Sequence, residues 1–466
     1  MQAVSTSQEH RDVTDPISDF VPILIQEIEL SQPLSPLSAY DKQKGQTYQR
    51  TRCLVRLHTQ PLGPVDFAFT SNELYPDEYA PRIWELLGEQ INAHLREDSL
   101  PEVTRLDAAG LSSMHTPRCI EERENFLQTA PFVSVILATR DRPDRLARCL
   151  PSLLSLRYPD YEVIVVDNAP STSATADFIQ QRYADEPGIR YVREDRPGLS
   201  LARNRGIQEA RGEIIAFTDD DVVVDTYWLA GLVRGFGTLE NVACVAGLIL
   251  PLELETPAQF LFEAQGGLSH GFSRRIFDLR EHHQKNPSYP YIAGACSAGA
   301  GASMAFTASF LRSEGGFDPA LGAGSPTCGG EDVVAFLHVI LHGYRLVYDP
   351  ASLIYHQHRR DYTALQKQLY GYGIAYTAYL TRILIDHPLL ILDCLSRFVR
   401  SLFVLWRHRA GTPMSAEKAT PIPQELKLLR RKGQLRGPLT YIRSRWSSGW
   451  RRKKLASSQA GIDAIR

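Results

Sequence analysis

The run Glu213-Ile-Ile-Ala-Phe-Thr218 opens into three consecutive aspartates, Asp219-Asp220-Asp221. A short buried strand ending on three carboxylates gathers negative oxygens at one point, where they repel one another. A solvated acidic turn relieves that repulsion with water. A divalent cation shared with a second anion, such as a diphosphate, relieves it better, because hard cations take oxygen ligands and bridge carboxylates to phosphates. The rest of the chain decides between the two.

Upstream, strand-like and helix-like runs alternate. Val133–Ala138, Glu162–Asp167 and Ile189–Val192 are apolar and β-branched, while 145–156, 176–183 and 199–211 carry helical spacing, the last stopped by Gly212. This alternation predicts parallel βαβ units and an α/β fold class with a Rossmann-like sheet. Such sheets bind ligands beyond the carboxyl ends of their strands. Those ends read Thr139-Arg140-Asp141, Asp167-Asn168 and Asp219-Asp220-Asp221, and all three are polar. Further on, the pattern predicts a helix over 228–236, a strand over 242–250, a helix over 331–342 and a strand through Val347. Between them lies the small-residue run Gly294–Ala302, where glycine permits close backbone approach to a ligand.

The chain of 466 residues has room for more than one domain. Residues 1–18 are polar and read as disordered, without a secretory leader. Residues 19–128 read as a small β-rich unit with a helix near 83–95, followed by a polar linker from about 100. The α/β domain spans 129–380, and 381–466 forms an amphipathic helix with a basic tail. Seven scattered cysteines without a CxxC pair argue against a disulfide framework and against a structural zinc site. Residues 407–454 hold 14 Lys/Arg and two Asp/Glu, against an overall net charge of −2. An acidic body with a basic tail suggests an anionic surface as partner. Residues 389–406 place a wide apolar face beside a narrow basic stripe, as interfacial helices do. The expected location is the cytoplasm, with peripheral contact at the membrane face. A nucleic-acid role lacks a matching fold or interleaved aromatics.

Seven segments, in order, resemble a family 2 glycosyltransferase of the GT-A type. They are Val133–Pro143, Val165–Asn168, Arg196–Gly206, Phe217–Asp221, Gly299–Met304, Gly315–Asp318 and Gly330–Asp332. The resemblance implies a metal-dependent, inverting hexosyl transfer from a nucleotide sugar, most plausibly UDP-linked, to a glycan, lipid-linked or small-molecule hydroxyl. It implies Mn2+ or Mg2+ as cofactor. Asp167 corresponds to the carboxylate that bonds the nucleobase, with Thr139 and Arg140 beside the nucleoside. Arg203 and Asn204 fall where the family meets the nucleotide. Asp219 faces the ribose or diphosphate, Asp220 lies close by, and Asp221 is the principal metal ligand. Asp332 corresponds to the base that takes the acceptor's proton, a role a carboxylate within hydrogen-bond reach can fill. His356 is a further metal or diphosphate ligand, and His358 a weaker candidate. The chain lacks the Gln-x-x-Arg-Trp motif and membrane spans of processive members, so transfer of one or a few sugars is expected.

Two other functions compete. A nucleotide-sugar pyrophosphorylase shares the layout, but its Gly-rich loop after the first strand is absent from Ala138–Pro143. A non-catalytic nucleotide-sugar-binding scaffold is disfavoured by the presence of both Asp221 and Asp332.

Overall fold

The computed structural model describes residues 20–113, 115–279, 297–388, 391 and 423–448. The proposed disordered start, part of the small-residue run (294–296) and nearly all of the 389–406 helix lie outside the described residues.

The α/β domain is built on a nine-stranded sheet. Four parallel strands run Ile189–Glu194, Tyr161–Asn168, Val133–Thr139 and Ile214–Asp219 across the sheet. Met304–Thr307 follows antiparallel, then Val242–Pro251 and Arg345–His356, which are parallel to each other. The short strands Val222–Val224 and Arg275–Phe277 pair with the far edge of Arg345–His356. The parallel strands are buried on both faces, which explains their unbroken apolar composition. Register sets Thr139 opposite Asp167, Ala138 opposite Asp219, and Val222 opposite His356. The polar strand ends therefore share one edge of the sheet, as expected from the sequence. The α/β fold class is confirmed, with additional elements at both ends.

The last strand is longer than its apolar pattern indicated. It reaches His356 because Pro350 falls within a register shift between the Gly247–Asp349 and Leu248–Leu353 pairs, where no ladder donor is needed.

The N-terminal unit pairs Ile23–Glu29 parallel to Arg50–Leu57, which is antiparallel to Gln60–Ala68. Helix Pro76–Glu97 lays Tyr79, Ile83, Leu87, Ile91 and Leu95 on that sheet. The polar linker contains a helix, Arg118–Leu127. Its composition hid it, since its buried residue is a charged one. Arg123 is 5% exposed and stacks on the Tyr227 ring at 3.6 Å.

Part of the basic C-terminal segment is packed. Helix Gln424–Ser447 lies along helix Tyr362–Asp386. Contact is close because a Cβ on Gly433 would come within 2.2 Å of the Tyr370 carbonyl, and one on Gly373 within 2.1 Å of the Arg430 carbonyl. Tyr441 is buried and donates to Asp318 Oδ2 at 2.9 Å, and Ser444 donates to the Ala320 carbonyl at 2.9 Å. The tyrosine row of the longer helix splits by face. Tyr379 is core, while Tyr372 and Tyr376 are 38% and 40% exposed.

Candidate active site

The sheet edge brings the aspartate triplet against the end of the last strand. Asp221 Oδ1 lies 3.2 Å from His356 Nε2. Donor atoms of Asp219, Asp221 and His356 all lie within 4.8 Å of one another. Asp220 turns the other way. It is 4% exposed, accepts from Thr139 Oγ1 at 2.8 Å and meets Arg142 Nη1 at 3.2 Å. Thr139 is thereby committed to holding the triplet, and Arg140 is exposed beside Asp141.

Three arginines outside the predicted set surround these carboxylates. Arg145 Nη1 sits 2.5 Å from Asp221 Oδ2 and 3.7 Å from Asp220 Oδ1. Arg359 reaches Asp221 at 3.8 Å, and Arg142 meets Asp220. Two of the three follow the first strand, in Arg140-Asp-Arg-Pro-Asp-Arg145, a basic run visible in the sequence. Burial opposes ionisation of Asp221, but His356, Arg145 and Arg359 outweigh it and hold its carboxyl well below the usual range. Burial raises Asp219, with Arg203 offsetting part of the effect and Asp221 and Asp332 adding to it. Burial likewise raises Asp220, helped by the charge on Asp221. For His356, burial is overcome by the Asp221 contact, so its pKa rises. His356 Nδ1 is buried without a partner.

Arg203 is 2% exposed. Its Nη1 bonds Glu331 at 2.8 Å, while Nη2 bonds the Gly301 carbonyl at 3.0 Å and Asp219 Oδ1 at 3.4 Å. It therefore joins the triplet to helix Glu331–Leu341. Asp332, beside Glu331, bonds backbone amides instead. Its Oδ2 accepts from the Gly301 amide at 2.8 Å, and Oδ1 accepts from the Val333 amide at 2.8 Å. A Cβ on Gly301 would lie 2.8 Å from Arg203 and 3.2 Å from Asp332. Only glycine allows this strand-entry loop to sit between the two. Burial, then the Asp332 charge, push Glu331 up to about 7.

The remaining predicted residues divide. Asp167 is fully buried; its Oδ2 accepts from Tyr191 at 3.0 Å, while Oδ1 is buried without a partner. Burial raises its pKa. Asn204 is bonded through both amide atoms to the backbone of Phe317, at 2.8 and 2.7 Å, so it braces a loop. His358 is 4% exposed and bonds Glu263 at 2.6 Å, away from the triplet. Asn168, at the same polar strand end, donates to the Arg196 carbonyl and accepts from the Gly198 amide, both at 2.8 Å, and so shapes the loop entering helix Leu199–Glu209.

Residues 134–299 match the model of the Glycosyl transferase family 2. Over that segment the chain matches family 2 glycosyltransferases, and its α/β sheet is of the kind expected for the GT-A type. It is similar to the pre-mycofactocin glycosyltransferase of Mycobacterium tuberculosis, 30% identical over 244 residues, which is 51% of this chain and 46% of that protein. Glycosyltransferase AglE of Haloferax volcanii is 36% identical over 116 residues, or 24% of this chain and 37% of that one. The matches thus span less than half of either relative. Among solved structures, mannosyltransferase PcManGT from Pyrobaculum calidifontis, in complex with GDP-Man and Mn2+, is 19% identical, with a TM-score of 0.39 over 72% of this chain and 80% of that chain. GalNAc-T7 with UDP, GalNAc and Mn2+ is 17% identical, with a TM-score of 0.40 over 66% of this chain and 55% of that chain. Among the described residues, no helix is long and apolar enough to cross a membrane.

Removing Arg203 leaves Glu331 and Asp219 without their shared cation. We expect Arg203→Met to destabilise the fold by about 3–5 kcal/mol, the usual cost of breaking a buried pair from one side. Chemical denaturation checks this, and a loss under about 1 kcal/mol would show that the bridge is not structural.

Proposed function

We propose that this chain transfers a single glycosyl group, with inversion, from a nucleoside-diphosphate sugar to a hydroxyl acceptor. The observation that supports this most is the convergence of Asp219, Asp221 and His356 on one point of the strand-end edge, with Asp332 joined to the same edge through Gly301 and Arg203.

Two carboxylates and one imidazole fit Mn2+ or Mg2+, and the nitrogen favours Mn2+. A cation bound there supplies positive charge to the leaving diphosphate. Arg142, Arg145 and Arg359 border the same carboxylates and add positive charge around them. On the nucleoside side, Asp167 Oδ1 is a buried acceptor lacking a donor, and a nucleobase N–H is a fitting complement. Uracil offers such a group, as a UDP-linked donor requires, and guanine offers one as well. Thr139 steadies the triplet from this side.

Asp332 takes the proton from the acceptor hydroxyl as the hydroxyl oxygen attacks the anomeric carbon. Two backbone amides fix its carboxylate, so its position costs little to reorganise during the reaction. Negative charge near the sugar also favours the oxocarbenium character of the transition state. Tyr372, exposed and 6.3 Å from the Phe262 ring, is a platform for an acceptor sugar.

Asp332→Asn keeps the shape of the side chain and one of its two amide contacts, since its NH2 group cannot accept from a backbone amide, and it cannot take the proton. Turnover should fall by about two to four orders of magnitude, while UDP-sugar binding, read by calorimetry, stays within a few-fold of wild type. Near wild-type turnover would remove Asp332 from the chemistry.

Peripheral membrane contact belongs to the same reading. Helix Gln424–Ser447 exposes Leu435 (85%), Trp446 (73%), Leu439 (55%) and Leu428 (52%). These recur near helical spacing and are interspersed with exposed Lys427, Arg430, Arg431, Lys432, Arg436 and Arg443. Apolar side chains for the acyl boundary and cations for the headgroups match an anionic lipid surface. Each basic residue near that surface adds about 1 kcal/mol. Leu435→Ser with Trp446→Ser leaves the packed face intact. It should cut co-sedimentation with phosphatidylserine vesicles several-fold; unchanged sedimentation would reject the lipid role.

A further inference from the structure

A second cluster of side chains able to ligate a metal lies outside the strand-end edge, in the N-terminal unit. His58, His94, Asp98 and Cys119 place one donor atom each within 4.8 Å of one another. His58, His94 and Asp98 are buried, and Cys119 is half-buried. His58 Nδ1 lies 2.7 Å from Asp98 Oδ2 and 3.1 Å from His94 Nε2. His94 Nε2 is 3.1 Å from the same Oδ2, and so is Cys119 Sγ.

Three elements aim these groups. His94 and Asp98 are four residues apart at the end of helix Pro76–Glu97, and so lie on one face. Cys119 is in the first turn of helix Arg118–Leu127, and its amide donates to Asp98 Oδ1 at 2.8 Å. The second carboxylate oxygen thereby stays turned toward the cluster. His58 comes from the tight turn between Leu57 and Gln60. There both His58 and Thr59 hold positive φ, 53° and 70°, and Thr59 is β-branched. Such strain persists only where the surroundings enforce it. Here the Glu29 carboxylate accepts from both turn amides at 3.0 Å.

Protons alone serve this group poorly. If His94 Nε2 is bare, its lone pair faces a carboxylate oxygen at 3.1 Å. If it is protonated, two ring N–H groups and a thiol crowd one oxygen. A single cation at the centre meets all four lone pairs at once. We propose that His58, His94, Asp98 and Cys119 form a structural zinc site. Zinc takes nitrogen, sulfur and carboxylate ligands in a tetrahedron, and its bonds of about 2.0–2.3 Å set donor separations of roughly 3.3–3.7 Å. The four observed separations of 2.7 to 3.1 Å need to open by roughly 0.2 to 1 Å, and the remaining two lie within 4.8 Å. The thiol disfavours Mg2+ and Mn2+. Four protein ligands leave no open coordination position, so the ion is structural rather than catalytic.

The site has a consequence for domain arrangement. Helix Arg118–Leu127 is the last element before the α/β domain, and it touches that domain through Arg123 on the Tyr227 ring. Zinc would fix this helix to the N-terminal unit and so set how that unit docks. The paired-cysteine spacing that usually signals zinc is missing because the ligands come from a turn, one helix and the start of another.

The full chain, stripped of metal and titrated with Co2+, tests this. Wild type should take up one tetrahedral cobalt with a thiolate-to-cobalt charge-transfer band. Cys119→Ser should lose that band, and His94→Ala should lower the cobalt bound by one equivalent. The double variant Asp221→Ala with His356→Ala should keep the band, which separates this site from the other cluster. As isolated, wild type should retain one equivalent of zinc by elemental analysis. A wild-type chain that shows no thiolate band at saturating Co2+, or a band unchanged in a folded Cys119→Ser variant, overturns the site.

Discussion

The buried guanidinium of Arg203 is the interaction on which the candidate site depends. It bonds Glu331, Asp219 and the Gly301 carbonyl at once. Asp219 ends a central strand, Glu331 starts a helix more than a hundred residues later, and Gly301 leads into the neighbouring strand. One planar cation with several donors in fixed directions can satisfy all three, which a lysine ammonium does less well. Its burial also concentrates charge. Glu331 is pushed up to about 7 even beside an arginine, since burial and Asp332 together outweigh that contact.

This bridge also divides the labour between neighbouring carboxylates. At the triplet, Asp219 and Asp221 face His356, while Asp220 is held by Thr139 and Arg142. At the helix start, Glu331 bonds Arg203, and Asp332 accepts from the Gly301 amide. In both places adjacent acidic residues bond different partners, one set structural and one set given to the proposed chemistry. Like charges this close are tolerable because arginines pair with them, Arg203 from the buried side and Arg142, Arg145 and Arg359 from the more exposed side.

Much of this was legible in the sequence, and the reasons are local. Strand alternation and polar strand ends follow from burial on both faces, so the position of the crevice could be read from Thr139, Asp167 and Asp221. Whether a polar side chain lies above or below the sheet edge is a tertiary fact. The pattern therefore could not show that Arg203 is buried or that Asn204 braces the Phe317 loop. Nor could it bring Arg359 to Asp221, because those residues meet only through the long last strand. The helix at Arg118–Leu127 escaped notice for the opposite reason: its buried contact is made by Arg123, through an aromatic ring rather than an apolar stripe. The basic C-terminal segment read as a tail because its packing relies on glycines, whose close approach leaves no hydrophobic signature.

The central claim is that Asp219, Asp221 and His356 together hold a divalent cation at the strand-end edge. Anomalous scattering at the manganese absorption edge, from crystals soaked in Mn2+ and UDP, tests it most directly. The account predicts one strong peak bonded to His356 Nε2 and to carboxylate oxygens of Asp219 and Asp221, with Arg145 displaced from Asp221. A manganese peak elsewhere on the chain, with Arg145 still seated on Asp221, would contradict it.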